Sequence, residues 1–244
     1  MIFVSLLLYL TNTTIKKDFM SKCDSCIVKE FNSLKSLTRD ELMRVSACKT
    51  GKFYKKGQVI FEEGETLNGV YCVKDGVCKL TKLSENGKDQ VVKLVAKGGL
   101  LGKRSLVTDQ VTNLSAIALN DMEMCFIPKS EIIADLAKNP DFTMDVLKKM
   151  ANDLRYSDDS LVNMAQKSVK RRMAEILIYI HENFGIDETG FLSIVISRED
   201  YASIVGTATE SAIRILSQFK KEGLISTAGK RIKIEDQGSL KWIE

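Results

Sequence analysis

The sequence predicts an α+β chain: a β-sandwich first, then one long helix, then a small helical unit closed by a β-hairpin. Three observations carry this. Between residues 53 and 128, short apolar runs alternate with Gly-containing turns. From residue 140 onward the apolar period lengthens to that of a helix. Residues 196–234, ISREDYASIVGTATESAIRILSQFKKEGLISTAGKRIKI, then read as helix, Gly turn, helix, Gly, hairpin.

In that last segment Ser197 is a natural N-cap, with Asp200 three residues on in a capping-box-like position. Tyr201, Ile204 and Val205 form the apolar stripe of a first short helix. Gly206 supplies a turn that tolerates positive φ. A second helix starting near Thr207 or Thr209 keeps Ala212, Ile213, Leu216 and Phe219 on its apolar repeat, and Gly223 stops it. Two alternating strands around Ala228-Gly229-Lys230 follow. Helix, tight Gly turn and helix make a helix-turn-helix, whose second helix enters the major groove of DNA, and the hairpin is its wing. An αα-hairpin carrying a β-ribbon is the plain alternative.

The chain has 244 residues, 44% of them hydrophobic and 28% charged, enough for two cores. Net charge is only +4, so the chain is no general polycation. Its basic residues nonetheless cluster late, at Lys167, Lys170, Arg171, Arg172, Lys220, Lys221, Lys230, Arg231 and Lys233, as phosphate contacts require. The six cysteines are expected to be thiols or ligands in a cytoplasmic protein rather than disulfides. The stretch Ile2 to Leu10 is apolar but too short to span a bilayer and has no basic residue before it. Residues 1–19 are therefore expected to be a non-structural extension ahead of Met20, with a short membrane anchor as the alternative.

Residues 59–61, 70–73, 77–83, 91–95 and 114–127 read as strands, and their near-regular spacing implies a jelly roll, a double-stranded β-helix. Leu147, Leu154 and Leu161 then recur every seven residues, interleaved with Met150, Ser157 and Met164. That is the seam of a two-stranded coiled coil interrupted at Ser157, which predicts a homodimer. Gln166-Lys167-Ser168 is the expected hinge. The predicted domains are 20–138 (effector domain), 139–166 (dimer helix) and 167–244 (DNA-binding domain).

The segments KKGQVIFEEGE (55–65), GVYCVKDGVCKL (69–80), GGLLG (98–102) and CFIPKSE (125–131), with the helix-turn-helix above, resemble the Crp/Fnr family of bacterial transcription regulators. The resemblance implies a cyclic-nucleotide-binding-type jelly roll, a dimer helix and a winged helix-turn-helix. It implies partners in double-stranded DNA, a second copy of the chain and RNA polymerase. The family's base-reading Glu and Arg fall on Glu210 and Arg214, one helical turn apart. Glu accepts from cytosine N4 and Arg forks onto guanine O6 and N7, so a half-site with a TGA-like core is expected. Thr209 stands where some members carry a further Arg, which implies relaxed preference beside that core. Thr207, Thr209, Ser211 and Lys230 are expected near phosphate.

The family's cAMP sensors hold the nucleotide with a Glu after the Gly-rich turn and an Arg before a Ser-Ala strand. Here Lys103 and Leu114 occupy those positions, so cAMP is not expected. A pocket around Gly99, Gly102, Lys103, Arg104, Ser105 and Ser115 leaves room for another anion. Cys23, Cys26 and Cys125 match three of the four cysteines of the oxygen-sensing members, but Asn32 stands where the remaining N-terminal cysteine belongs. The main expectation is no cofactor, with an unidentified effector. An iron–sulfur cluster, or a thiol or metal switch at Cys23 and Cys26, is the alternative. Enzyme chemistry is not supported: His181 is the single histidine, and neither a P-loop nor a GxSxG is present. A jelly-roll protein-interaction module without DNA binding is the reading from another class, and the basic clusters oppose it.

Overall fold

The computed structural model describes residues 26, 29, 30, 32–85 and 87–244. The expected extension, 1–19, and Cys23 lie outside them. A 3-10 turn (Ser33–Ser36) and helix α1 (Arg39–Cys48) precede the strands. These are β1 (Thr50–Tyr54), β2 (Val59–Phe61), β3 (Gly69–Asp75), β4 (Cys78–Leu83), β5 (Asp89–Val95) and β6 (Leu100–Leu101). After a short helix α2 (Lys103–Thr108) come β7 (Ser115–Ala118) and β8 (Met122–Pro128). The strands pair antiparallel into two four-stranded sheets, β1-β8-β3-β6 and β2-β7-β4-β5, which is the jelly roll.

The run 114–127, expected as one strand, is two. Asn120 accepts from Val77 N at 2.7 Å and Asp121 from Lys56 N at 3.1 Å, so the chain turns there to close against neighbouring loops. Alternation along β3 and β8 separates two cores. Tyr71, Val73, Met122 and Met124 fill the sandwich interior with Phe61, Cys78 and Leu101. Val70, Cys72, Cys125 and Ile127 point out of it, onto Leu34, Leu42, Val45 and Leu106.

Helix α3 (Lys129–Lys138) leads into α4 (Pro140–Gln166), whose start is fixed by Asn139, accepting from Phe142 N at 2.9 Å, and by Pro140 in the first turn. Phe142, Val146 and Met150 pack on the outer face of the first sheet. Met150, expected in the coiled-coil seam, is thus partly claimed by its own β-domain. Leu147, Leu154 and Leu161 stand bare at 52, 65 and 72% exposure, an open apolar seam on a single protomer.

Ser168 caps α5 (Val169–Phe184), followed by α6 (Arg198–Val205), α7 (Thr209–Lys221), β9 (Ile225–Ala228), β10 (Arg231–Ile234) and α8 (Gln237–Lys241). Met173, Leu177, Ile180, Tyr201, Val205, Ala212, Leu216 and Phe219 make one core. Ile213 is not in it, contrary to the sequence expectation. Ala212, Leu216 and Phe219 define the buried face, and Ile213 lies about 100° round the helix from Ala212.

Three contacts set this unit against the rest of the chain. Gly206, in the left-handed conformation at φ +65°, turns α6 into α7 so close to the end of α4 that a Cβ would meet Met164 Sδ at 3.0 Å. Arg172 donates to Val205 O (2.9 Å), Met164 O (2.7 Å) and Lys167 O (2.8 Å), tying together the ends of α6 and α4 and the hinge. Helix α6 lies on β5: Ser203 Oγ accepts from Val91 N at 2.7 Å and donates to Asp89 O at 2.8 Å, and Lys79 Nζ pairs with Asp200 Oδ1 at 2.5 Å.

Arg172→Ala is expected to lower stability by about 2 kcal/mol, since charge-assisted bonds to three carbonyls are lost. Arg172→Lys should recover only part of this, because an ammonium lacks the planar fork. Urea unfolding of the full chain measures both.

Candidate nucleic-acid interface and sensing site

The exposed face of α7 follows from its buried one. Glu210 and Arg214 lie on it, both exposed and without an ion pair among the described residues, so an intrahelical Glu–Arg bridge does not occupy them. Thr209 opens the helix and Ser211 is in its first turn, both half-buried. Thr207 is in the turn, its N–H donating to Ala202 O at 3.0 Å. The N-cap is Ala208, which offers no side-chain acceptor to the first-turn N–H groups, the arrangement a phosphate oxygen fits. In the wing, Ala228 faces Arg231, so Gly229 and Lys230 form a two-residue loop with Gly229 at φ +59°. Lys230 is exposed at its tip. Arg198, at the start of α6, donates to Gly229 O at 3.4 Å and Lys230 O at 3.5 Å, orienting that loop.

The basic cluster is smaller than the sequence suggests. Lys167 and Arg171 pair with Glu175, Lys170 with Glu222, Arg231 with Asp187 and Lys233 with Glu235. Arg172 is taken by backbone carbonyls. Lys220, Lys221 and Lys230 are exposed and enter no ion pair among the described residues. Sequence alone could not separate these sets, because the acids lie up to 52 positions from their partners (Lys170 and Glu222).

The residues of the expected anion pocket come from two parts of the jelly roll. Gly99, Gly102, Lys103, Arg104 and Ser105 surround β6 and α2, whereas Ser115 opens β7 in the other sheet. Lys103 Nζ pairs with Asp153 Oδ2 of α4 at 2.6 Å, and Lys93 Nζ with Asp153 Oδ1 at 2.6 Å. Burial pushes the Asp153 carboxyl up, but hydrogen bonds from Lys103 and Lys93 outweigh it and hold it below the usual carboxylate range. Arg104 donates to Asn113 Oδ1 at 3.3 Å, Ser105 is buried, and Ser115 Oγ accepts from Glu63 N at 2.9 Å. The Lys103 charge is thus paired on α4, while Arg104 bonds only the neutral Asn113.

Sulfur is gathered elsewhere. Cys72 and Cys125 are direct cross-strand partners of β3 and β8, and Cys26 packs against the same cluster. Asn32 is buried beside them, its Nδ2 donating to Cys72 Sγ at 3.4 Å and its Oδ1 accepting from Leu34 N at 2.9 Å. Cys72 is not among the cysteines that the family resemblance singles out. Its register with Cys125 is a tertiary fact that spacing does not carry. Cys78 is core alone, its burial pushing the thiol up to about 12. A four-thiolate cluster does not fit the described residues: Asn32 is committed as a cap, and no three metal-binding side chains converge.

A jelly roll joined through a long helix to a winged helix-turn-helix defines a signal-sensing, DNA-binding transcription regulator. Residues 51–139 match the cyclic nucleotide-binding domain, and residues 171–242 the Crp-like helix-turn-helix domain. The chain is 26% identical over 224 residues to the Anaerobic regulatory protein of Haemophilus influenzae, covering 89% of this chain and 86% of that one. It is equally identical over 224 residues to the Fumarate and nitrate reduction regulatory protein of Vibrio cholerae, covering 89% and 88%. Its fold is that of FixK2 from Bradyrhizobium japonicum, with a TM-score of 0.70 at 23% identity over 79% of this chain and 95% of the other. A crp/fnr family regulator from Eubacterium rectale gives 0.71 at 20%, over 85% and 95%. The chain belongs to the Crp/Fnr family of transcription regulators. Its partners are DNA and a second copy of itself. Among the described residues no helix is long and apolar enough to cross a membrane.

Glu210→Ala and Arg214→Ala are each expected to cost about 1–3 kcal/mol at one base position and to relax preference there. Lys230→Ala should weaken binding evenly across sequences and flatten its salt dependence. Selection from a randomised duplex library, followed by salt titration, distinguishes the two behaviours.

Proposed function

We propose that this regulator is a cytoplasmic homodimer that reads a palindromic operator through Glu210 and Arg214, works with RNA polymerase, and responds to redox state through cysteine sulfur. One observation carries the signal assignment. Cys26, Cys72 and Cys125 share a single apolar cluster with Phe142, Val146 and Met150, the first turns of α4. A change at these sulfurs therefore acts directly on the base of the dimer helix. The names of the relatives from Haemophilus influenzae and Vibrio cholerae, which concern anaerobic regulation and fumarate and nitrate reduction, support the same assignment. The adjacent pair Cys72 and Cys125 suits thiol chemistry: two thiols give up two protons and two electrons to a peroxide, which leaves as water, and a disulfide forms. Cys23, outside the described residues, would join Cys26 in any metal-bound form. The response is a population shift, in which α4 moves and resets the recognition helices towards the roughly 34 Å spacing of successive major grooves.

Full-length protein purified without oxygen should change operator affinity at least fivefold after stoichiometric peroxide, and Cys125→Ser should not. Thiol counting and iron with acid-labile sulfide, before and after, separate a disulfide from a cluster. Identical affinity of reduced and oxidised wild type would overturn the redox assignment. Separately, Leu154→Glu with Leu161→Glu is expected to give monomers by sedimentation and to lose operator binding, because the open seam is then charged on both strands.

A further inference from the structure

Ile213 is 45% exposed and packs against no part of the core that holds its neighbours, while Ile215 on the same helix does pack there. It sits three residues after Glu210 and beside Arg214, on the flank of the face that carries both. The other side chains of that outer surface, Ser217, Gln218 and Lys221, are polar. Solvation and the weak helix preference of a β-branched residue both oppose isoleucine at this position. An aliphatic side chain there finds its complement in a major groove at the 5-methyl of thymine, the one apolar substituent on the base edges.

We propose that Ile213 is a specificity-determining residue that packs on the 5-methyl of a thymine within one or two base pairs of those read by Glu210 and Arg214. The proposal rests on the DNA-reading assignment of α7 and deepens it: Glu210 and Arg214 read polar edges, and Ile213 reads an apolar one. Because Ile213 is outside the core, its truncation leaves the fold intact.

Deoxyuridine differs from thymidine only by that methyl, and so removes the contact from the DNA side. A duplex is first selected from a random library by the full-length wild-type protein. Each thymine of its half-sites is then replaced in turn by deoxyuridine, and affinity is measured by fluorescence anisotropy. One position is expected to weaken wild type about fourfold per half-site, the worth of one buried methyl. Ile213→Ala should bind the thymine duplex more weakly and show no further loss at that deoxyuridine, and Ile213→Val should keep the discrimination. Circular dichroism of the variants should match wild type. Wild type that binds the selected duplex yet ignores every deoxyuridine overturns the proposal, as does Ile213→Ala paying the same penalty at the same position. Wild type that selects no sequence at all overturns the underlying DNA-reading assignment instead.

Discussion

The side chain on which the arrangement of the molecule turns is Arg172. Its guanidinium takes the carbonyls of Met164, Lys167 and Val205 together, so the last turn of the dimer helix, the hinge and the first helix of the DNA-reading pair share one fork. All three oxygens are at helix ends, where carbonyls lack intrahelical partners and carry the negative end of the dipole. One planar cation satisfies three such orphans, which is why an Arg rather than a Lys suits the position. The contact of Met164 with the Gly206 turn lies beside it, and there glycine is needed for space as well as for φ. Rotation of α4 therefore reaches the recognition helix without passing through a flexible linker.

A second tether runs from the opposite side. Ser203 and Asp200 hold α6 to β4 and β5, and Val77, Val91, Leu94 and Leu119 of the β-domain join the core of the DNA-reading unit. Asp153 adds a third link by drawing Lys93 of β5 and Lys103 of α2 onto α4. The jelly roll, the dimer helix and the helix-turn-helix thus form a closed ring of contacts. In such a ring, a displacement at one joint has to be absorbed at the others.

Much of this was legible in the chain. Gly206, Ser197 and the alternation around Gly229 specify the helix-turn-helix and wing locally, because caps and turns are written in consecutive residues. Strands β2 to β5 were implied by turn spacing, but β1 and β6 were not, since TGKFY lacks alternation and Leu100–Leu101 is too short to show any. Ile213 was misplaced because a stripe of apolar letters cannot say which member faces solvent when both 213 and 215 are isoleucine. The partners of Lys103, of Lys170 and Arg231, and of Cys72 were invisible for one reason: each lies tens of residues away and is chosen by sheet register or helix docking.

The remaining question is whether sulfur chemistry at the outer sheet face is strong enough to govern DNA reading. Allosteric coupling of regulators typically amounts to about 1–3 kcal/mol. Fully burying or exposing one large apolar side chain is worth about 1.5–3 kcal/mol. Phe142 is 1% exposed and Val146 8%, in the same cluster as Cys72 and Cys125. Joining those two sulfurs alters the volume that Phe142 and Val146 fill, and close-packed interiors answer volume changes by shifting elements rather than by leaving voids. The element that answers is α4, whose first turns carry Phe142 and Val146 into that cluster. Repacking around one aromatic ring therefore matches in size the coupling such a switch requires.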